Sequence, residues 1–545
     1  MKNLVSIFAG HDAYISFYHA EKDKYYCIEI ERILQERYFR LHEDNSPHYL
    51  KYILESCREI AEKYWGIKND YEAVLICSDG YVQTDPSEIF NTEKVTTVAR
   101  HHECHASAAY YMSPFVGQAA RVISYDGGGD DGHLNIFLHE GSLWLHHEAY
   151  NRTDFGGGYL LCGSLIREVA ENSRHQLALS GKLMGLCGYG KVIEKYVPAF
   201  QEFFIDRDYK KLAETTGLPL KNLDNPWENP LDNWVFEGQE GYDIAATAQE
   251  AFERAFFKFL DRYYSADPNK CVANSKITDE RPLILTGGCA LNVLLNEKIK
   301  SLYPHIKLYV PPNPHDGGLS LGHLFRYKKP MEDDNERIVD VTYAGAPLLD
   351  RDKLQTYIDE YGATKITKKE IAELIGDGKI VGLGYGDSEV GPRALGNRSI
   401  VCDPNIADMK DILNSKVKFR EWYRPFAPFC KKEDADKYFD SPNFDNLEYM
   451  SYAPMVKPEY KDKLPSITHV DGTARLQTVT EDSHSHFYEL LTEFGKISET
   501  NVLLNTSFNI KGKPILSTIY DAIYTLHNTQ MDYVVIEDYL FERKT

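Results

Sequence analysis

The chain lacks any uninterrupted apolar run of about 18 residues, the length a membrane-crossing helix needs, so no transmembrane span is expected. Its 10 cysteines are scattered and include no CxxC pair. Scattered thiols of this kind predict reduced cysteines and a cytoplasmic location. No HExxH peptidase signature is present: in "HHECH" Glu103 stands between His102 and His105 at the wrong spacing. Positive charge is the scarcer sign. There are 61 Lys and Arg against 82 Asp and Glu, a net charge of -21, which argues against unspecific attraction to nucleic acid or an anionic membrane. Tandem repeats and low-complexity tracts are missing. The opening "MKNLVSIFAGHDAYISFYH" carries only a short apolar run, broken by polar residues, and predicts strand, turn and strand rather than a signal peptide.

What is present is a long chain with material for sizeable cores. Its 545 residues are 43% hydrophobic, enough for two or three domains. The 38 tyrosines point to wet, hydrogen-bonded surfaces. Residues 4–9, 14–18 and 24–32 predict three strands, 46–66 a helix closed by Gly66, and 71–77 a buried strand. Residues 121–140 repeat the opening pattern of strand, Gly/Asp turn and strand. A strand, Gly-rich turn and helix follow at 281–299, and a strand, Pro-broken loop and helix at 305–325. A domain boundary is expected near 345, with an α/β domain beyond it and strands at 380–385, 501–504 and 533–536. Residues 435–466 are rich in Tyr and Pro and predict a long ordered excursion.

The stretch "HHECHASAAYY" places His101 and His105 four residues apart, on one face of a helix. Asp126 and Asp316 each follow a strand and precede glycines, where α/β folds present functional groups. Two imidazoles and two carboxylates would suit Fe(II), Mn(II), Co(II) or Zn(II). The same residues are compatible with helix packing and ordinary turns. "TGGCALN" (286–292) offers backbone N–H groups to a phosphate or ribose, and "SGKLMGLCGYG" (180–190) offers Lys182. Neither matches the phosphate loop or the dinucleotide fingerprint. In this acidic chain, "SEVGPRALGNRSI" (388–400) carries Arg393 and Arg398 in a predicted loop, and "KVKFREWYRPFAP" (416–428) carries Lys416, Lys418, Arg420 and Arg424. Arg475 and the amide-rich "NTSFN" (505–509) follow. Such clusters suit phosphate-bearing substrates, or balance nearby surface acids.

Taken in order, "SGKLMGLCGYG", "TGGCALN", "SEVGPRALGNRSI", "KFREWYRPFAP", "HVDGTARLQTV" and "LNTSFNIKGKPI" resemble the O-carbamoyltransferases of the nodulation and cephamycin type. The resemblance covers nearly the whole chain. It implies an α/β protein of two domains. Residues 1–345 would form an actin-like ATPase (ASKHA) domain similar to the enzyme of tRNA threonylcarbamoyladenosine synthesis. Residues 346–545 would form a YrdC-like domain. The latter would make carbamoyl adenylate from carbamoyl phosphate and ATP, with Mg(II) accompanying ATP. The former would pass the carbamoyl group to an acceptor hydroxyl.

The resemblance further implies a metal shell of His101, His105, Asp126 and Asp316, with Fe(II) as the ion. Gly287, Gly288 and Asn292 are placed to hold nucleotide, with Lys182 a weaker candidate. His11 and Asp12 are candidates for the base or a phosphate contact. Arg393, Arg398, Lys418, Arg420, Arg424 and Arg475 are assigned to phosphates, and Ser507 and Asn509 to carbamoyl or ribose. The expected partner is a hydroxylated small molecule, with no membrane partner. Carbamoylation of a hydroxymethylated pyrimidine or other nucleic-acid hydroxyl is the alternative. A small-molecule kinase and a non-catalytic nucleotide binder are more remote. The acceptor pocket, in 195–280, carries no readable motif.

Overall fold

The structure is a computed structural model that describes residues 2–41, 45–77, 84–130, 132–140, 143–171, 173–217, 231, 234–264, 281–329 and 338–543. By compactness the chain forms two units, one of Met1–Val116 with Val310–Thr545 and one of Gly117–Tyr309. Residue 345 lies inside the first unit. There the Cys27 N–H bonds Ala344 O at 2.8 Å and the Gly345 N–H bonds Ser388 O at 2.9 Å.

The first unit opens with strands β1 (Asn3–Phe8), β2 (Tyr14–His19), β3 (Lys24–Glu29), β4 (Tyr71–Ile76) and β5 (Val95–Thr96), in the order β3-β2-β1-β4-β5. The hairpins β1–β2 and β2–β3 are antiparallel, while β1–β4 and β4–β5 are parallel. β1 and β2 are buried along their whole length, which is why they read as apolar runs. Helix α1 (Pro47–Ile60) starts where Ser46 accepts the Tyr49 N–H and Pro47 takes the first position. Its Leu50, Ile53, Leu54 and Cys57 form one buried face on this sheet's core. A final π-turn ends at Gly66, whose φ of 75° closes the helix. Helix α2 (His101–Met112) follows β5, and its start is fixed by the Arg100 N–H bonding Glu103 Oε2 at 3.1 Å.

The second unit repeats the topology. Its strands are β6 (Ala120–Tyr125), β7 (Leu134–Glu140), β8 (Leu143–Tyr150), β9 (Leu283–Thr286) and β10 (Leu308–Tyr309), in the order β10-β9-β6-β7-β8. Again two antiparallel pairs adjoin two parallel ones. Helices α3 (Ala178–Leu186), α4 (Gly238–Tyr264) and α5 (Val293–Leu302) belong to this unit. Residues 218–230, 232–233 and 265–280, part of the expected acceptor region, lie outside the described residues. Gly287, after β9, has φ 88°, and a Cβ there would stand 2.2 Å from Tyr125 O. Gly287→Ala is therefore expected to cost on the order of 3 kcal/mol, read as a lowered melting temperature of the full chain.

The chain then returns to the first unit. Helix α6 (Leu319–Lys328) packs on α2 and on β1. A mixed sheet follows from β11 (Thr364–Lys365), β12 (Val381–Gly384), β13 (Arg398–Cys402), β14 (Ala427–Lys431), β17 (Gln477–Val479), β18 (Val502–Ser507), β19 (Tyr533–Ile536) and β20 (Tyr539–Glu542), in the order β11-β20-β19-β12-β13-β18-β14-β17. Strands β15 (Phe439–Asp440) and β16 (Met455–Val456) pair within the Tyr/Pro-rich excursion. Helices α7 (Lys368–Gly376) and α8 (Ser485–Phe494) bury Ile371, Ile375, Phe487 and Leu491 against Val381, Leu383, Phe429 and Leu503. No described helix is long and apolar enough to cross a membrane.

Candidate metal centre and anion site

On α2, His101 and His105 share a face, as their spacing requires, with ring centroids 4.8 Å apart. Asp316 opens the short turn Asp316–Gly318 that leads into α6. Its Oδ1 lies 3.3 Å from His105 Nε2 and 3.7 Å from His101 Nε2. The three side chains are 4%, 1% and 5% exposed. Helix approach makes this possible: a Cβ on Gly322 of α6 would stand 1.9 Å from Cys104 O of α2. Only glycine lets the α6 backbone come that near. Ser16 of β2 and Ser320 of α6 add a buried hydroxyl pair at 2.7 Å.

Two imidazole nitrogens facing a carboxylate oxygen that accepts no hydrogen bond form a donor set that fits a divalent cation. His11 flanks it, with Nε2 3.3 Å from Asp316 Oδ2 and Nδ1 3.1 Å from Asp12 Oδ2. Burial pushes Asp12 up, but the His11 hydrogen bond and the His315, His11 and Arg37 charges outweigh it and hold the carboxyl below its usual range. In the second unit, the Asp126 carboxylate accepts the Gly127 and Gly288 N–H groups at 2.5 Å each.

A second group, Cys77, Cys104 and His323, also brings sulfur and nitrogen together. There the Val98 N–H donates to His323 Nε2 at 2.8 Å. A neutral ring then carries its proton on Nδ1, which argues against a metal ligand at that nitrogen.

The basic residues of the C-terminal segment converge in the first unit. Lys418, 4% exposed, reaches Ser507 O at 2.6 Å, Asn509 O at 2.8 Å and Asn509 Oδ1 at 2.5 Å. Arg420 donates to Asn414 Oδ1 at 2.7 Å and to Pro425 O at 3.2 Å. Burial, then the charges of Arg393, Arg420 and Arg424, push the Arg475 guanidinium well down. Burial and then Arg424 push Arg393 down to about 10. Lys418 is lowered by burial, then by Arg420, Arg424 and Arg37. One carboxylate, Glu421, stands near Arg424 at 3.6 Å. Like charges held together in a half-buried site are arranged for an anion. Arg37 is the residue sequence reasoning missed. Its guanidinium covers the Tyr38 ring at 4.7 Å, and its charge acts both on Asp12 and on Lys418. Its charge is therefore felt at both sites. Basic residues outside the recognised motifs gave no signal for it.

Several expected site residues are engaged elsewhere. Arg398 is not brought into the cluster. It begins β13 rather than lying in a loop, and its guanidinium donates to Tyr385 O, Asn397 O and Gly386 O. Lys182 donates to Ser173 Oγ at 2.7 Å and Val169 O at 3.4 Å. Asn292 caps α5 by accepting the Leu295 N–H and exchanges amide hydrogen bonds with Gln249. The Gly288 N–H is taken by Asp126.

Residues 13–324 match the carbamoyltransferase N-terminus model and residues 372–543 the carbamoyltransferase C-terminus model. The chain is 31% identical to nodulation protein NolNO of Sinorhizobium fredii, over 86% of this chain and 66% of that protein. It is 32% identical to nodulation protein NolO of Bradyrhizobium diazoefficiens, over 82% of this chain and 79% of that one. A crystal structure of full-length HypF in its phosphate- and nucleotide-bound form overlaps 61% of this chain and 56% of that one, at TM-score 0.33 and 12% identity.

Proposed function

The chain belongs to the carbamoyltransferase family, and from that premise we propose that it makes carbamoyl adenylate and passes the carbamoyl group to a hydroxyl of a small-molecule acceptor. The observation that carries this reading is the cluster of half-buried Arg393, Arg420, Arg424 and Arg475 around buried Lys418, which has far more positive than negative charge. Phosphates are the groups it is built to hold. In balance, water releases phosphate from carbamoyl phosphate. The carbamate oxygen then attacks the α-phosphorus of ATP, and pyrophosphate leaves. Finally the acceptor oxygen attacks the carbamoyl carbon, its proton goes to a base, and AMP leaves.

Residues 346–545 are assigned the first half-reaction and a YrdC-like fold. Residues 1–345 are assigned transfer and an actin-like fold, a reading supported by the repeated strand order of β1–β5 and β6–β10. His101, His105 and Asp316 would hold the divalent ion, taken to be Fe(II). When bound, the ion supplies charge stabilisation at the carbonyl and phosphate oxygens. His11 is the base. Asp12, hydrogen-bonded to Nδ1, orients the ring so that Nε2 receives the acceptor proton. Arg37, whose charge acts on both Asp12 and Lys418, steadies the adenylate phosphate as it passes from one site to the other. Burial of His101, His105, Asp316 and Lys418 helps keep water from a hydrolytically fragile adenylate.

The test is a product assay with ATP, carbamoyl phosphate and Fe(II), first without acceptor and then with hydroxylated compounds and hydroxymethyl-pyrimidine DNA. Pyrophosphate release that requires carbamoyl phosphate is expected, with one acceptor gaining a single carbamoyl group. ADP formation without pyrophosphate would replace this reading with a kinase.

A further inference from the structure

Arg393 poses a physical problem. It is half-buried beside Arg424 and Arg475, and its shielded Nε has no hydrogen-bond partner. Nothing in its own contacts opposes the repulsion of its neighbours. Its position must then be imposed through its backbone.

The backbone just before it is held by a buried ion pair from the other end of the sequence. Arg32 Nη2 lies 2.6 Å from Glu29 Oε1, with both side chains under one tenth exposed. The guanidinium fork grips the 388–391 turn: Nη1 donates to Ser388 Oγ at 2.5 Å and Glu389 O at 2.7 Å, and Nη2 to Gly391 O at 2.6 Å. Glu29 Oε1 accepts the Gly391 N–H at 3.0 Å, so the pair holds both the N–H and the C=O of one residue. Gly391 has φ 99°, and a Cβ there would stand 2.5 Å from Pro312 O, so only glycine fits at this point of the turn. Beyond Arg393, Glu389 Oε1 accepts the Leu395 N–H at 2.7 Å and Asn505 donates to Ala394 O at 3.0 Å.

We propose that the Glu29–Arg32 pair is a positioning device for the anion site, a clamp that holds Arg393 among like charges before the phosphate-bearing substrate arrives. The inference rests on the anion-site reading but not on carbamoyl transfer. A guanidinium fork is needed for it. A lysine ammonium at position 32 keeps the charge opposite Glu29 but cannot span Ser388, Glu389 and Gly391 together.

The probe is pyrophosphate, titrated calorimetrically into the full-length protein. Arg32→Lys is expected to weaken pyrophosphate binding about tenfold. It should raise the carbamoyl-phosphate KM by a similar factor in the pyrophosphate-release assay, with kcat nearly unchanged. Ile371→Val, in the α7 core, should lower the melting temperature and leave both constants alone, which separates positioning from general loosening. Should Arg32→Lys fail to fold, Ser388→Ala removes one of the gripped acceptors, and about a threefold loss is expected. Unchanged pyrophosphate affinity in whichever of these variants folds overturns the clamp, as does a wild-type protein that binds no pyrophosphate. A wild-type protein that binds pyrophosphate but makes no carbamoyl adenylate overturns the function instead, and the clamp is still judged on affinity.

Discussion

His105→Ala is expected to strip the divalent ion from the full-length protein and to lower acceptor carbamoylation by about a thousandfold, while carbamoyl-phosphate-dependent pyrophosphate release stays within about twofold of wild type. The separation follows from geometry. His105 lies on α2 with its Nε2 3.3 Å from Asp316 Oδ1. The cations that would hold the phosphates lie on the C-terminal segment, together with Arg37. Removing an imidazole leaves that cluster intact. The adenylate should then form and be lost to water, so AMP accumulates without carbamoylated product. His105→Ala leaves a small void in a helix already rich in alanine, and α2 should persist. Metal analysis of the purified protein and the two half-reaction assays check the prediction. Equal loss of both half-reactions would sink the division of labour. Full metal retention would sink the ligand assignment. A related expectation is that His11→Gln, which keeps a hydrogen-bonding group near Asp12, retains the metal but loses transfer.

Different parts of this arrangement were legible to different degrees. The hairpins of β1–β3 and β6–β7 and the strands β4, β12, β18 and β19 could be read because each is a short apolar run bounded by turn residues. The pairing of His101 with His105 was a matter of helical period, and the likeness of the β6 segment to the β1 segment showed in the Gly/Asp turns. The partners set by long-range approach could not be read. Arg32 sits in "IERILQERYFR" with nothing to mark it, because its function depends on carbonyls some 360 residues away, at Glu389 and Gly391. Arg398 looked like its neighbour Arg393, yet β13 turns it onto the backbone of Tyr385 and Gly386. The glycines of "TGG" suggested an open phosphate turn. One is needed because β6 passes too close for a side chain, and the next presents its N–H to Asp126. Composition gives residue types, whereas sidedness within a loop comes only from packing.

Arg475→Met is expected to move activity and stability in opposite directions. Arg475 is pushed well below the usual guanidinium range by burial and then by Arg393, Arg420 and Arg424. In the anion-free protein its charge is therefore an unfavourable presence, which the shorter, uncharged and flexible methionine removes. The anion-free melting temperature should rise. Pyrophosphate release should fall about a hundredfold, because one donor to the phosphates is gone. The stabilisation that pyrophosphate gives the wild type should shrink as well, since a ligand stabilises in proportion to its affinity. The pH dependence has the same origin. Lys418 is held below its ordinary value in the fold, so the unfolded chain binds the extra proton between the lowered value and 10.5. Stability of the anion-free protein should accordingly rise with pH across that window. Saturating pyrophosphate, by favouring the charged lysine, should flatten the rise. Melting curves with and without pyrophosphate, for wild type and variant, test all of these together. A variant that melts lower than wild type while retaining pyrophosphate release would mean that Arg475 braces the loop rather than meeting the phosphate.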